Sequence, residues 1–328
     1  MADYDLAGIG NALVDVVART EDSFLDDHSL PKGAMILVEA DQSRALYDQL
    51  GTAVEISGGS CGNTIAGFAA LGGQGAFIGK VRNDQFGDVF RHDLKALGVD
   101  FATPSTVDGP STGISLILVS TDAQRTMCTY LGAANHLSPE DVDPNVVQNA
   151  KVTYLEGYLF DRPPAKRAFV RAAELAHGAG QKVSLTLSDK FCVDRHRPEF
   201  LGLVEHHIDI LFANEAEITA LYETDSFDKA MQAVRGHCEI ACLTRSERGS
   251  LVLCGDEVHV IDAETVEHLV DSTGAGDLYA AGFLYGYTQG YDLAKCGRLG
   301  SICAAEVISH YGARPESDLK ALVAPALA

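Results

Sequence analysis

Short apolar segments alternate with helical patterns along most of this 328-residue chain, and this alternation constrains the fold more than any other feature. Such segments are typical of buried strands, whereas the capped or amphipathic stretches between them are typical of helices. Strand–helix alternation predicts an α/β sheet protein. The predicted strands are residues 6–9, 76–78, 152–155, 182–187, 208–212, 240–243 and 250–254.

Two helices can be placed from local signals. Ser138-Pro139-Glu140-Asp141 has a capping serine, a proline at the first helical position and an acid three residues after the cap. A further helix is predicted over residues 164–178.

Residues 12–40 and 101–131 break the alternation and are predicted to form strands without intervening helices. If they pair, they make a small accessory sheet placed to act as a lid. The catalytic core is then residues 1–11, 41–100 and 132–328, and core and lid share one folding unit.

Composition excludes several classes of protein. The formal net charge of −21 and the pI near 4.8 argue against a broad nucleic-acid-binding surface. The eight cysteines include no Cys-x-x-Cys pair, so they are predicted to be reduced and structural. No apolar run approaches the roughly 20 residues needed to span a bilayer, and the acidic N-terminus is not typical of a targeting signal. We expect a soluble cytoplasmic protein without a nucleic-acid or membrane partner.

The segment Asp271-Ser272-Thr273-Gly274-Ala275-Gly276-Asp277 precedes an apolar helical run. Its glycines let N–H groups of Gly274, Ala275 and Gly276 point into one volume at a helix N-terminus, where anions are stabilised. Phosphoryl transfer needs such donors, and it needs an acceptor such as Asp277 that takes the proton of the attacking hydroxyl. The alternative interpretation is a turn followed by an acid that stabilises the helix.

Two common nucleotide-binding motifs are absent from the sequence. The nearest approach to Gly-x-x-x-x-Gly-Lys-Ser/Thr ends at Gly79-Lys80-Val81 and has Gln74 at the first position. Gly8-Ile9-Gly10 opens like a dinucleotide fingerprint, but Leu13 occupies the third glycine position. The sequence therefore supports neither a phosphate-loop NTPase nor a Rossmann dehydrogenase.

Three other segments carry ligand-binding chemistry. The cluster Gly58-Gly59-Ser60-Cys61-Gly62-Asn63 allows close backbone approach to a ligand, and the Asn63 amide suits a sugar hydroxyl. Asn214-Glu215-Ala216-Glu217 follows a predicted strand, at a sheet end where ligands collect, although a capped helix start is the alternative. The third segment is Thr244-Arg245-Ser246-Glu247-Arg248-Gly249.

Together these segments resemble the ribokinase-like (PfkB) family of carbohydrate and nucleoside kinases, and the resemblance covers nearly the whole chain. Asn214 to Glu217 matches the family signature Asn-x-x-Glu. Thr244 to Gly249 matches Thr-x-Gly-x-x-Gly, with Ser246 in place of the usual glycine. Residues 10–15, 24–30 and 36–39 look most like the adenosine kinases of that family. The resemblance implies a ribokinase-like α/β fold with a central, mostly parallel sheet flanked by helices and a small β-sheet lid.

The resemblance also implies a role for each matching residue. Catalysis would fall to Asp277 as base, to the anion hole of Gly274, Ala275 and Gly276, and to Arg125 closing over the transferring phosphoryl group. The ribose would be bound by Asn11, Asp15, Gly59 and Asn63, and the purine would be surrounded by Leu13, Leu37, Met127, Leu131 and Tyr158. ATP would be bound by Asn214, Glu217, Thr244 and Gly249, with Asn214 and Glu217 organising Mg²⁺ through water. Asp271 and the backbone of Thr273 are implied as ligands of a monovalent cation such as K⁺, whose binding by this chain stays open.

Some of these residues have a second interpretation. Asp15 stands in the apolar run Leu13-Val14-Asp15-Val16-Val17, where burial without partners would be costly, so it is predicted to face a polar ligand or solvent. Leu13, Leu37, Met127 and Leu131 would equally suit a packed core. Arg125 would equally suit a turn.

The predicted function is Mg²⁺-dependent transfer of the γ-phosphoryl group of ATP to the 5′-hydroxyl of adenosine. A sugar kinase of the same fold, acting on ribose, a ketose or a sugar acid, is the first alternative. A nucleoside-binding protein without activity is the second. The predicted partners are a small-molecule acceptor and ATP, and the chain is expected to be a monomer or a homodimer formed through the lid.

Overall fold

The main sheet positions the other parts of the protein. The computed structural model describes residues 2–122 and 124–327. The main-sheet strands are β1 (Tyr4–Ile9), β5 (Gly75–Ile78), β8 (Ala150–Glu156), β9 (Lys182–Thr186), β10 (Ile210–Asn214), β11 (Ile240–Thr244), β12 (Ser250–Cys254) and β13 (Glu257–Ile261). Within the described residues the sheet has eight strands in the order β13-β12-β11-β10-β9-β8-β1-β5. Strands β5 to β11 of this order are parallel, and β12 and β13 are antiparallel. All seven predicted strands are present.

Helices cover both faces of this sheet, and some pack against a second, smaller sheet instead. They are α1 (Asp22–Asp27), α2 (Ala40–Tyr47), α3 (Ser60–Ala70), α4 (Gln85–Ala96), α5 (Pro144–Gln148), α6 (Pro163–Gly178), α7 (Lys190–His207), α8 (Glu215–Leu221), α9 (Phe227–Val234), α10 (Ala275–Thr288), α11 (Leu293–Val307) and α12 (Leu319–Leu327). In β10, Ile210 and Phe212 belong to one hydrophobic cluster, whereas Leu211 and Ala213 belong to the other. Since successive strand residues point to opposite faces, both faces are buried and the α/β prediction is confirmed.

A second sheet is built on the end of the first. Its strands are β2 (Leu13–Arg19), β3 (Met35–Leu37), β4 (Ala53–Gly58), β6 (Gly113–Val119) and β7 (Arg125–Tyr130), in the order β3-β7-β6-β2-β4. Strand β2 follows β1 closely in the chain and belongs to the second sheet. Strand β4 pairs antiparallel with β2, with Leu13 opposite Gly58. The two sheets therefore meet at Asn11 and Gly59.

The second sheet differs from the prediction in two respects. Residues 12–40 were expected to contain strands alone, but they include the short helix α1, which buries Leu25 against the core. Strand β4 comes from residues 41–100, which were assigned to the core. Its residues Val54-Glu55-Ile56-Ser57 alternate apolar and polar side chains, so a short strand signal was present in the sequence and was missed. That the sheet moves as a lid stays a prediction.

The predicted helix at 164–178 is confirmed, with its first residue at Pro163. The predicted helix start at Ser138 is a short 3₁₀ turn, Pro139–Asp141, with both halves of the capping box formed. In the described residues all eight cysteines are unpaired, as predicted. No helix in 2–122 or 124–327 is long and apolar enough to cross a membrane.

Gly274 is expected to be essential for stability, because it caps α10 with φ at 81° and a Cβ there would lie 2.7 Å from Cβ of Ala313. A left-handed alanine costs roughly 1–2 kcal/mol before the clash is counted. Gly276→Ala is the matched control, because Gly276 is helical and a Cβ there meets no described atom within 4 Å. Urea unfolding should show a loss of stability for Gly274→Ala and little change for Gly276→Ala. Equal stabilities would contradict the proposed packing of this turn.

Candidate active site

The predicted site residues lie around one cavity of about 1550 Å³ between the two sheets. The lining includes Asn11, Leu13, Asp15, Leu37, Gly59, Asn63, Arg125, Met127, Leu131, Tyr158, Asn214, Glu217, Thr244, Gly249, Thr273, Gly274, Ala275, Gly276 and Asp277. Asp271 is not part of the lining, but its carboxylate contacts Arg125 at 2.7 Å. Residues separated by more than 200 positions thus share one cavity because the carboxyl ends of parallel strands meet at one edge of a sheet.

Asp277 lies in the first turn of α10 and is held from the glycine-rich segment on the other side of the cavity. Its carboxylate accepts hydrogen bonds from Ser60 Oγ at 2.6 Å and from Asn63 Nδ2 at 3.0 Å. Burial raises the pKa of Asp277 to about 6, although both hydrogen bonds and the charge of Arg314 oppose the rise. The carboxylate is therefore fixed in position and becomes a proton acceptor close to neutral pH.

The backbone in front of α10 presents N–H groups to the cavity. Ala275 N–H donates to the Ser272 carbonyl at 3.2 Å, so one of the three predicted anion-hole donors has a protein partner. The amides of Gly274 and Gly276 have no acceptor among the described residues. Free N–H groups at the N-terminus of a long helix suit an anion such as a phosphoryl group.

Two buried amide side chains leave an oxygen free for a ligand. Asn11 is 2% exposed and Asn63 is 6% exposed, and Oδ1 of each has no hydrogen-bond partner in the described structure. Unsatisfied buried acceptors are costly, so their presence side by side at a cavity wall points to hydroxyl donors on a ligand. This fits the predicted binding of sugar hydroxyls.

Asp15 lies on β2 and faces the same cavity, as the sequence predicted. Burial raises the pKa of Asp15 to about 6, against the lowering effect of Arg314 and Arg125. A Cβ at Gly58 would lie 2.3 Å from Cγ of Asp15, so the glycine makes room for this carboxyl group.

The second sheet turns an apolar surface towards the cavity. Met35 and Leu37 on β3 and Val54 on β4 are 48%, 56% and 64% exposed and line it. Leu37 is therefore not a core residue, whereas Leu13, at 7% exposed, packs in the wall. Large exposed apolar groups in a cavity mark a ligand-binding surface rather than a packed interior.

The other end of the cavity lies at the ends of β10 and β11. Asn214 and Glu217 form a reciprocal capping box: Asn214 N and Nδ2 donate to the Glu217 carboxylate at 2.9 and 2.6 Å. Asn214 and Glu217 therefore cap the start of a helix and also lie at the cavity, so the two interpretations do not exclude each other. Thr244 ends β11, and Ser246, in place of the family's glycine, has a left-handed φ of 52°. Left-handed backbone explains why glycine suits this position.

Glu217 fits the indirect role in Mg²⁺ binding better than a direct one. Its carboxylate is 5% exposed, and burial raises its pKa to about 7. Residues 2–122 and 124–327 contain no group of three or more His, Cys, Asp or Glu side chains placed to hold a metal. Since Mg²⁺ keeps several waters and binds phosphates, one carboxylate near the phosphates is sufficient.

Arg125 begins β7 instead of lying in a turn. It reaches across to residues 271–274, the loop before α10 that is called the anion-hole loop below. Its guanidinium contacts Asp271 Oδ2 at 2.7 Å and lies over the ring of Tyr311. The Asp271 carboxylate also accepts from Thr273 N at 3.0 Å, Thr273 Oγ1 at 2.7 Å and Gly312 N at 3.1 Å. Burial would raise the pKa of Asp271, but these donors and Arg125 lower it below its usual value. Donors and a cationic side chain surround this carboxylate, so the site does not fit a monovalent cation.

Three residues of the cavity wall were missed by the sequence analysis. Glu156, at the end of β8, is 1% exposed and accepts from Asn11 Nδ2 at 2.7 Å and Cys61 N at 2.9 Å. Burial raises its pKa to about 7. The sequence did mark Glu156, because this carboxylate directly follows the predicted strand at residues 152–155. Ser60 was inside the glycine cluster, and no local pattern marks Arg314.

The comparisons with known proteins agree with this geometry. The pfkB family carbohydrate kinase model matches residues 34–320. An adenosine kinase from Sinorhizobium meliloti is 50% identical with a TM-score of 0.91, covering 99% of this chain and 100% of that one. A probable sugar kinase protein from Rhizobium etli is 48% identical with a TM-score of 0.91, covering 99% of each chain. The ATP-dependent ribose-1-phosphate kinase of Halopiger xanaduensis is 30% identical over 88% of this chain and 91% of its own length.

The relatives share one type of reaction while differing in acceptor. Their match over nearly the whole chain, together with a carboxylate and free amides at the N-terminus of α10, identifies an enzyme that phosphorylates a hydroxyl group. The chain belongs to the pfkB family of carbohydrate kinases, and it is a ribokinase-like, adenosine kinase-like member of that family.

Proposed function

We propose that this kinase transfers the γ-phosphoryl group of ATP to the 5′-hydroxyl of adenosine, giving AMP and ADP in a purine-salvage reaction. The observation that carries the acceptor assignment is that exposed apolar side chains of the second sheet, among them Met35 and Leu37 on β3 and Val54 on β4, line the same cavity as the unpartnered amide oxygens of Asn11 and Asn63. A nucleoside has a flat base joined to a polar sugar, and both surfaces are needed to bind it. The similarity to the Sinorhizobium meliloti adenosine kinase supports the same acceptor.

The proposed reaction is an in-line displacement at the γ-phosphorus. Asp277 accepts the proton of the 5′-hydroxyl as its oxygen forms the new bond to phosphorus, and the bond to the β-phosphate oxygen breaks to release ADP. The amides of Gly274 and Gly276 stabilise the charge on the phosphoryl oxygens. Arg125 lies on the second sheet at the same loop, where closure would exclude water.

The donor end of the site is proposed to hold ATP through Thr244 and Gly249. Asn214 and Glu217 would hold Mg²⁺ through water beside the phosphates. When bound, the metal neutralises phosphate charge and favours departure of ADP.

A sugar kinase remains the second candidate. The relatives from Rhizobium etli and Halopiger xanaduensis favour it, because their names give a sugar or a sugar phosphate as acceptor. The exposed apolar surface distinguishes the two, since a free sugar needs polar groups in that position for its remaining hydroxyls. A binding protein without activity would not need the carboxylate of Asp277 at the N-terminus of α10.

The acceptor is tested by Mg·ATP-dependent phosphate transfer to adenosine, inosine, guanosine, ribose, ribose 1-phosphate and fructose. We expect adenosine to have the highest kcat/KM and to give AMP. Preference for a sugar or sugar phosphate would overturn the acceptor and leave the kinase assignment intact. Nucleoside binding without any transfer would support the protein without activity.

Asp277→Asn is expected to lower kcat by about 10²–10⁴-fold, because it removes the proton acceptor and keeps the shape of the side chain. ATP affinity, measured by calorimetry, should change little. The matched control is Asp292→Asn, which alters an aspartate that caps α11 outside this cavity. Near-normal turnover by Asp277→Asn would show that another group takes the proton.

The activity should have an acidic limb near pH 6. Asp277 must be ionised to accept a proton, and its pKa of about 6 means that kcat/KM falls as the pH decreases through that value. Asp15, with a pKa of about 6, titrates in the same range. The measurement is kcat/KM against pH for the preferred acceptor. Full activity maintained to about pH 5 would contradict the raised pKa.

The enzyme is expected to work equally well without K⁺, because Arg125 and three hydrogen-bond donors already surround the Asp271 carboxylate. Initial rates in potassium chloride and in choline chloride at one ionic strength should agree. Sodium chloride serves as a control for small cations. Activation by K⁺ alone would mean that the Arg125–Asp271 pair opens during turnover.

A further inference from the structure

Arg314 is a half-buried cation in the wall of the active-site cavity, outside the set of residues proposed to contact the substrates. It lies between α11 and α12, in the segment that packs against the anion-hole loop. Its Nη1 donates to the Gly62 carbonyl at 2.8 Å, and its Nη2 donates to the Ser57 carbonyl at 2.6 Å and to Ser57 Oγ at 3.1 Å. One guanidinium thus joins the end of β4 to the first turn of α3.

The turn that Arg314 spans carries the two residues that hold Asp277. Gly58 and Gly59 connect β4 to α3, and Ser60 and Asn63 follow at once. Both donate to the Asp277 carboxylate. A guanidinium with several donors in a fixed plane restricts such a turn more strongly than a single hydrogen bond does. The position of Asp277 therefore depends on Arg314 through Ser60 and Asn63.

Arg314 forms no ion pair with a carboxylate in the part of the chain that the structure describes. Within the described residues no carboxylate oxygen lies within 4.0 Å of its guanidinium nitrogens, and Nε has no partner. Burial lowers its pKa to about 10, against the opposing effect of Asp15, Asp277 and Asp93, so the side chain remains charged at neutral pH. Burying a cation without an ion pair is costly, and it is typical of functional sites.

We propose that Arg314 is a positioning residue of the phosphoryl-transfer site, which fixes the Gly58–Gly59 turn and keeps Asp277 ionised while the acceptor is bound. This role rests on the proposed function of Asp277 as proton acceptor. It does not depend on which hydroxyl compound is the acceptor.

The electrostatic part of the role follows from the groups that surround Asp277. The groups facing it are Arg314, Asp15, Glu156, Cys61, Tyr154 and Tyr158. Arg314 is the cation among them, and it lowers the pKa of both Asp277 and Asp15. Without it, burial would keep Asp277 protonated to a higher pH.

The test is the pH dependence of kcat and kcat/KM for Arg314→Gln, Arg314→Met and Arg314→Lys, using the acceptor that the wild type prefers. The neutral variants should move the acidic limb upward by roughly one pH unit. They should also lower kcat on the plateau, with little change in ATP affinity. Arg314→Lys should keep the limb of the wild type and lower the plateau, because an ammonium keeps the charge but not the planar set of donors.

Arg91→Gln is the matched control. Arg91 also holds backbone, donating to the Phe101 and Thr103 carbonyls, and to Ser105 Oγ, but it does not line the cavity. Its substitution should lower thermal stability without moving the acidic limb.

An unmoved limb in the neutral variants, or a change in KM alone, would overturn the proposal. Folding of the neutral variants is checked by circular dichroism. If neither folds, the test rests on Arg314→Lys, which keeps the positive charge. A shift of the acidic limb in Arg314→Lys would contradict the proposal that the charge of Arg314 sets its position. The proposed role of Asp277 as proton acceptor is tested separately from the role of Arg314. Near-normal activity of Asp277→Asn would show that the proposed function of Asp277 is wrong.

Discussion

The structure depends on holding the half-buried carboxylate of Asp277 at the N-terminus of a helix. Burial penalises the charged form of Asp277, and its pKa rises to about 6. Ser60 and Asn63 offset part of that cost with hydrogen bonds, and both come from a segment more than 200 residues away in the sequence. The fold of both sheets is therefore required to hold this carboxylate in the position proposed for the base.

The meeting of the two sheets explains why binding and chemistry share a cavity. Strands β1 and β2 are separated by a few residues that include Asn11, and β4 returns to α3 through Gly59. Polar groups of the cavity lie at the ends of main-sheet strands and also on the second sheet, as Asp15 and Arg125, and the second sheet adds exposed apolar side chains. Arg125 crosses from the second sheet to Asp271, so the position of this sheet is linked directly to the anion-hole loop.

The sequence predicted all but one of the described main-sheet strands and missed β13, and it selected residues that the structure brings to one cavity, although their roles stay predictions. Strand–helix alternation predicted the seven strands β1, β5 and β8 to β12, and Gly59, Gly249, Gly274 and Gly276 of the glycine motifs line the cavity. The sequence was insufficient where a strand pattern is short or where a contact joins residues that are distant in the chain. Strand β4 was missed because only Val54 and Ile56 carry its alternation, and Arg314 donates to the carbonyl groups of Ser57 and Gly62, which leave no pattern in side chains. The pairing of Arg125 with Asp271 is likewise a tertiary contact that local sequence does not encode.

The proposed role of Asp277 can be checked in a crystal structure with the preferred acceptor and a non-hydrolysable ATP analogue. We expect the acceptor hydroxyl within about 2.6–3.2 Å of the Asp277 carboxylate, in line with the γ-phosphorus. We also expect the γ-phosphate at the amides of Gly274 and Gly276. An acceptor bound away from Asp277, or a γ-phosphate held by other groups, would contradict the proposed role.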